Sequence, residues 1–239
     1  MDVKIGMNML LWGVQIDSEH IPVFSALREC GYDGVEIPVT GQSASELQKM
    51  ASACDELGLE RTASALVGAE VNPISPDPAV RDAALANLKQ SIDGANLIGA
   101  DILIGGIYQA HKYFTGAAAT DEEWQWSADY LHAGGEYAQG RGVRLGLEFL
   151  NRFEVFLINT SADCKRMVEQ VGLTNVGVHY DTHHANIEDP APSKAIANIS
   201  SVINHVQLSE SHRGTLGTGQ VGWEGTFASL REMGYSGWL

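Results

Sequence analysis

The chain has 239 residues, and 44% of them are hydrophobic, which is enough apolar material for one large buried core. Lys and Arg number 15 against 30 Asp and Glu, so the formal net charge is −15 at pH 7. Because nucleic-acid binding needs a concentrated basic face and the sequence has no basic run, this composition excludes a nucleic-acid partner.

The cysteines and the apolar stretches predict a cytoplasmic protein without a membrane partner. The three cysteines, Cys30, Cys54 and Cys164, fall in predicted helices and lack metal-ligand spacing. An odd and sparse set of this kind is typical of reduced thiols. No apolar stretch approaches the roughly 20 residues of a membrane-spanning helix, and the apolar run near the N-terminus is too short for a signal peptide.

Apolar, β-branched runs alternate along the chain with longer segments of helical periodicity. In chain order, each predicted strand is followed by a predicted helix, at 4–10 and 20–30, 34–37 and 44–57, 61–67 and 79–98, 101–105 and 121–139, 143–149 and 161–171, 176–181 and 193–199, and 202–208 and 223–233. Six of these helices are followed by a glycine, the residue that most easily takes the left-handed conformation at a helix end: Gly31, Gly58, Gly99, Gly142, Gly172 and Gly234.

Strict alternation of strand and helix with short connections predicts a parallel sheet, and its repetition predicts a single α/β domain over residues 1–239, a (β/α)8 TIM barrel. Seven strand–helix units are complete, and the segment 234–239 (GYSGWL) begins an eighth strand that the chain does not finish. A barrel without most of its last strand would expose two sheet edges, which favour aggregation. We therefore expect a truncated form of a slightly longer protein, or a last strand supplied in another way.

Polar side chains stand at the ends of three consecutive predicted strands, namely Glu148, Asp181 and Gln207. In α/β barrels the catalytic groups gather at the carboxyl ends of the strands, so these three could converge on one point. Two carboxylates and a neutral donor suit a hard divalent cation such as Mn²⁺, Mg²⁺ or Co²⁺, and the lack of cysteine there argues against a structural zinc. Polar loops follow the three strands, and they contain Asn151, His184 and Arg213.

Structural explanations compete with a metal site. Glu148 and Asp181 could belong to a buried ion-pair network around Arg152, because such networks also place charges at strand ends. Glu36, at the end of the second strand, is interpreted as a structural partner of a neighbouring backbone group or arginine, and His179 as a hydrogen-bonded core histidine. The repetition of polar groups at three successive strand ends favours the metal site.

The segment 212–219 (HRGTLGTG) is rich in glycine. Backbone N–H groups in such a loop can approach a ligand closely, and the loops after strands seven and eight often hold phosphate in barrels. A flexible surface loop has the same composition. Both interpretations stay open.

Four blocks of the sequence are similar to a known family: 147–154 (LEFLNRFE), 159–163 (NTSAD), 180–188 (YDTHHANIE) and 205–214 (HVQLSESHRG). Segments 105–108 (GGIY) and 114–116 (FTG) are similar to the family's loop after strand four. On these blocks, the chain resembles the xylose-isomerase-like barrel superfamily, and most closely the ketose 3-epimerases of the D-tagatose and D-allulose type. The resemblance covers almost the whole chain.

The resemblance implies roles for site residues and a cofactor. Glu148 would be a metal ligand and one of two catalytic acid–bases, and Asp181 would be a second metal ligand. Glu154, His184 and Arg213 match positions that hydrogen-bond the hydroxyls and the carbonyl end of a sugar. The cofactor expected from the resemblance is Mn²⁺, with Mg²⁺ or Co²⁺ as alternatives, and the assembly expected is a homodimer or homotetramer.

The chain departs from the epimerase pattern at two places. The epimerases have a histidine ligand six residues before the arginine, where this chain has Gln207. Hydroxypyruvate isomerases have glutamine in an equivalent segment, so we expect Gln207 to be the third ligand. The family's fourth ligand and second acid–base is a glutamate on strand eight, just past Leu239, which the sequence as written cannot supply.

These features together predict a divalent-metal-dependent sugar isomerase or epimerase, which abstracts a proton next to a carbonyl and forms an enediolate. Ketose 3-epimerisation is the expected reaction. One alternative is a related isomerase or lyase that acts on hydroxypyruvate, an inosose or a 3-keto-glycoside. Others are an enzyme for a phosphorylated sugar, if segment 212–219 binds phosphate, and a non-catalytic barrel subunit.

Overall fold

The computed structural model describes residues 2–239, and this part of the chain contains seven strands and eight α-helices. The strands are β1 (Gly6–Asn8), β2 (Gly34–Pro38), β3 (Glu60–Ser64), β4 (Ile102–Gly105), β5 (Arg144–Glu148), β6 (Val176–Asp181) and β7 (Ile203–Gln207). The helices are α1 (Ile21–Glu29), α2 (Ala44–Leu57), α3 (Pro78–Leu97), α4 (Asp121–Gln139), α5 (Ser161–Val171), α6 (Thr182–Glu188), α7 (Pro192–Ile199) and α8 (Trp223–Glu232).

The strands form one parallel sheet in chain order from β1 to β7. Strands β2, β4 and β6 are buried along their whole length, as expected for parallel strands that are covered on both faces. Parallel pairing in chain order, with helical connections, is the architecture of a TIM barrel. The predicted α/β fold class is therefore confirmed.

The last residues of the chain lie along β1. Lys4 and Trp238 form a parallel β-bridge. Backbone hydrogen bonds join Lys4 N to Gly237 O (3.2 Å), Leu239 N to Lys4 O (2.8 Å) and Gly6 N to Leu239 O (3.0 Å). An eighth strand thus begins where the sequence predicts one. It pairs with residues 4–6, at the start of β1, so this edge of the sheet is partly covered.

Helices α2, α4 and α5 have the bounds predicted from the sequence, and the first strand and the segment after β6 are among the segments that differ. Strand β1 is shorter than the predicted 4–10, because residues Met9–Leu11 turn into a 3₁₀ helix whose Leu10 N–H is bonded by the Asn8 side chain (2.8 Å). Residues 182–188, expected to lie in a loop, form α6. The Asp181 carboxylate accepts from His183 N (2.6 Å) and so caps its first turn.

Glycine ends two of these helices in the way that the sequence predicts. Gly58 and Gly172 follow α2 and α5 with φ angles of 64° and 71°, in the left-handed region that a side chain disfavours. Each turn redirects the chain into the next strand on the sheet.

Among the helices of residues 2–239, none combines the length and the apolar character needed to span a membrane.

Candidate metal centre and active site

The predicted carboxylate pair is assembled at the carboxyl ends of neighbouring strands. Glu148 is the last residue of β5 and Asp181 the last of β6, and they are 9% and 0% exposed. His184, in the first turn of α6, completes a group whose ligand atoms all lie within 4.8 Å of one another. Its Nε2 atom is 3.5 Å from Glu148 Oε1 and 3.9 Å from Asp181 Oδ2.

Burial and neighbouring charges both shift the pKa values of residues in this group. Burial raises the pKa of Glu148, and the nearby Asp181 adds to this effect, while His184 opposes it. Burial alone would lower the pKa of His184, but Glu148 and Asp181 outweigh it, so the pKa is raised. Two carboxylates removed from water repel each other and need positive charge nearby.

Arg213 supplies one positive charge to this group. Its Nη1 atom donates to Asp181 Oδ2 (3.0 Å) and to Ser209 Oγ (2.7 Å), and its Nη2 atom lies 3.0 Å from His184 Nε2. The proposed alternative, a buried ion-pair network around Arg152, is wrong. The Arg152 guanidinium is largely exposed and pairs with Glu188 (2.7 Å), because α6 presents Glu188 to it at the rim.

Gln207 ends β7 and lies opposite Asp181 in the strand register. Its amide nitrogen donates to the carboxylate of Glu36. Because an ionised carboxylate can only accept hydrogen bonds, Glu36 bonds the amide nitrogen of Gln207 and not its amide oxygen. The amide oxygen can therefore act as a ligand of a cation. Two carboxylate oxygens and an amide oxygen form a hard donor set, and together with the buried negative charge this set fits Mn²⁺, Mg²⁺ or Co²⁺.

Glu36 is a structural partner, as the sequence predicts, but its partners are side chains of other strands. The carboxylate accepts from Thr62 Oγ1 (2.9 Å), lies 2.9 Å from His205 Nε2 and accepts from Gln207. It therefore joins β2 and β3 to β7 across the barrel interior. This network has no local sequence signal, because Thr62 and His205 are far from Glu36 along the chain.

His179 lies inside the barrel between Glu148 and His205. Its Nδ1 atom is 3.7 Å from Glu148 Oε2, and its ring meets that of His205 edge-on at 5.1 Å between centroids. His179 is a core histidine, as expected, but the expected hydrogen bond is wrong, because neither ring nitrogen has a hydrogen-bond partner among residues 2–239. Burial holds the pKa of His179 well below its usual range, so its ring stays neutral.

Glu154 and His184 are joined through Asn151 in the loop after β5. Asn151 donates its backbone N–H to His184 Nδ1 (3.0 Å) and its side-chain amide to Glu154 Oε1 (2.9 Å). His111, from the loop after β4, lies 3.0 Å from Glu154 Oε2. His183 lies with Glu154 and His184 in a second close group. His111 was not predicted, since an isolated loop histidine carries no spacing signal, and His183 was not predicted although it is adjacent to His184 in α6.

An apolar cleft opens on the same face of the sheet, at the carboxyl ends of β1, β2 and β3. Its volume is about 240 Å³, and its lining includes Leu10, Val14, Thr40, Ala65 and Leu66. Clefts at this end of a barrel are typical of small-molecule sites, but none of the lining residues belongs to the group of Glu148, Asp181 and His184.

Comparisons with known proteins identify the family to which this fold belongs. The xylose isomerase-like TIM barrel family matches residues 24–239. A ketose 3-epimerase of Arthrobacter globiformis is 33% identical over 236 residues, covering 98% of this chain and 81% of the relative. An L-ribulose 3-epimerase of Mesorhizobium japonicum is 30% identical over 234 residues, covering 98% of this chain and 78% of the relative.

A solved structure extends the likeness to the backbone. The D-allulose 3-epimerase of Methylomonas sp. in complex with D-allulose superimposes with a TM-score of 0.93 and 27% identity, covering 99% of this chain and 82% of that chain. The fold, the length matched and the named activities of these relatives lead to one assignment. The chain belongs to the xylose isomerase-like TIM barrel family and is an enzyme of the isomerase class, as are its epimerase relatives.

Proposed function

We propose that this protein is a divalent-metal-dependent ketose 3-epimerase that acts on a small sugar. The observation that carries the proposal is the buried group of Glu148, Asp181 and His184 with Arg213 beside it, at the carboxyl ends of β5 and β6. The relatives named ketose 3-epimerase and L-ribulose 3-epimerase support the reaction type. Glu148, Asp181 and Gln207 would hold the cation, which we expect to be Mn²⁺.

A bound divalent cation would supply positive charge beside the sugar oxygen where negative charge develops during proton removal. Glu148 would remove or return the proton on the carbon next to the carbonyl. Glu154, His184 and Arg213 would hold the hydroxyls and the carbonyl end of the sugar. The close grouping of Glu154 with His184, and of His184 with Glu148 and Arg213, supports these roles. Epimerisation also needs an acid–base on the opposite face, a role that the resemblance gives to a glutamate on strand eight.

Glu148→Gln tests this assignment, because the amide keeps the size of the side chain but cannot accept the proton. We expect kcat/KM to fall by about 10³-fold or more, since general-base catalysis contributes a rate enhancement of that order. The measurement is epimerisation of a ketose panel in D₂O with Mn²⁺ present, which follows deuterium entry at C3. Deuterium entry at C1 instead would indicate aldose–ketose isomerisation.

The control is Glu122→Gln, the same substitution at an exposed position at the start of α4. It should leave turnover unchanged, and circular dichroism should be the same for both variants. Turnover by Glu148→Gln at the wild-type rate would remove Glu148 from the mechanism.

A further inference from the structure

Glu210 is a fully buried carboxylate in the segment after β7. Its Oε1 atom accepts from Ser211 N (2.9 Å) and Val221 N (3.1 Å), and its Oε2 atom accepts from Gly217 N (2.9 Å) and Trp223 Nε1 (2.9 Å). Four N–H donors around one carboxylate form a complete anion-binding cage.

The glycines of segment 212–219 allow this cage to close. A Cβ atom at Gly219 would lie 2.4 Å from Glu210 Oε1 and 2.5 Å from Ser211 Oγ, so the chain can approach the carboxylate only without a side chain there. Gly217, which donates to Oε2, has a φ of 81° in the left-handed region. The composition of this segment is compatible with a phosphate-binding loop and with a flexible surface loop. In the structure its Gly217 amide, together with donors that flank the segment, bonds the carboxylate of Glu210.

The same loop sets the position of Arg213. The Arg213 backbone N–H donates to the carbonyl oxygen of Glu210 (2.9 Å), and Arg213 has a φ of 59°. A non-glycine residue adopts this conformation only when its surroundings hold it there. From this position the guanidinium reaches Asp181 and comes within 3.0 Å of His184 Nε2.

We propose that Glu210 is a positioning residue, whose carboxylate fills the anion cage of the glycine-rich loop, holds Arg213 at the site, and leaves this loop no place for a substrate phosphate. The role assigned to Arg213 rests on the proposed function. The donors hold the pKa of Glu210 at about 2 despite the opposing effect of burial, so the cage is filled by an anion at neutral pH.

Hydrogen exchange tests the cage without any assay of activity. In Glu210→Gln one carboxylate oxygen becomes an NH₂ group that faces N–H donors, so exchange of the amides in 211–223 should become at least about tenfold faster. Glu224→Gln, at an exposed position in the first turn of α8, is the matched control and should exchange like the wild type. Unchanged exchange in Glu210→Gln would overturn the proposal.

Gly219→Ala covers the case in which Glu210→Gln does not fold. It keeps the charge of Glu210 but places a methyl group against Oε1, so it should also accelerate exchange in 211–223. Inorganic phosphate should leave exchange in the wild-type loop unchanged. Protection of these amides by phosphate would contradict the claim that the cage is already filled.

A double-mutant cycle tests the link to Arg213. If Glu210 acts through Arg213, Glu210→Gln should raise KM about tenfold and change kcat little, and Glu210→Gln combined with Arg213→Ala should be within about twofold of Arg213→Ala alone. If the losses of kcat/KM in the two single variants multiplied in the double variant, Glu210 would act by another route than Arg213. A wild-type protein that converts no ketose would refute the proposed function, while the exchange result would still decide the role of Glu210.

Discussion

Glu154 is bonded by two side chains that come from separate loops. His111 reaches one carboxylate oxygen from the loop after β4, and Asn151 reaches the other from the loop after β5. The hydrogen bond from His111 is the main reason why the pKa of Glu154 falls from 4.5 to about 2. The Glu154 carboxylate therefore stays an acceptor at neutral pH, as its proposed role in binding sugar hydroxyls requires.

The lowered pKa of Glu154 predicts how stability depends on pH. Because the folded pKa lies below the unfolded one, the ionised carboxylate stabilises the fold above about pH 4.5, and this contribution is lost as the pH falls towards 2. The unfolding midpoint in urea should therefore differ between wild type and Glu154→Gln at pH 6, and the difference should shrink between pH 4.5 and 2. A difference that grows in acid would contradict this.

At the scale of elements, one carboxylate serves both a helix and the site. Asp181 caps α6 through His183 N and also receives the guanidinium of Arg213. The cap turns the chain directly from β6 into α6, which brings His184 to within 3.5 Å of Glu148. A loop in place of α6 would not fix His184 in this way, because each loop residue retains more conformational freedom.

The glycine after α5 gives an element-scale prediction. Gly172 has a φ of 71°, and an added Cβ would come no closer than 3.9 Å to another atom, so strain alone opposes a side chain there. Gly172→Ala should therefore lower the free energy of unfolding by about 1 kcal/mol in urea denaturation. Gly225→Ala, inside α8 with no atom near its added Cβ, is the control and should be neutral or stabilising.

At the scale of the whole molecule, the candidate site joins residues from distant parts of the chain. Strand β5 contributes Glu148, β6 contributes Asp181, β7 contributes Gln207, and the loop after β7 contributes Arg213. Only the parallel order of the sheet brings these ends together. The cytoplasmic location, the single-domain organisation and the homodimer or homotetramer stay predictions from the sequence and its resemblance.

Metal binding should stabilise the whole fold, because the proposed cation site exists only in the folded chain. At 100 times its Kd, Mn²⁺ should add about 2.7 kcal/mol and raise the thermal midpoint by roughly 5–10 °C, and EDTA should reverse this. Asp181→Asn should reduce the shift. Asparagine still caps a helix, so α6 is retained in this variant. If Mn²⁺ raised the thermal midpoint of Asp181→Asn as much as that of the wild type, the cation would bind elsewhere.

The sequence by itself determined the order of strands and helices, the glycine helix ends and the convergence of Glu148 with Asp181. These follow from local periodicity and from the rule that parallel strands end at one face. Only the tertiary structure decided that Arg213 rather than Arg152 meets Asp181, that His111 holds Glu154, and that Glu210 fills the glycine-rich loop. Each of these contacts joins separate segments or depends on the path of a folded loop, and no local pattern encodes such geometry.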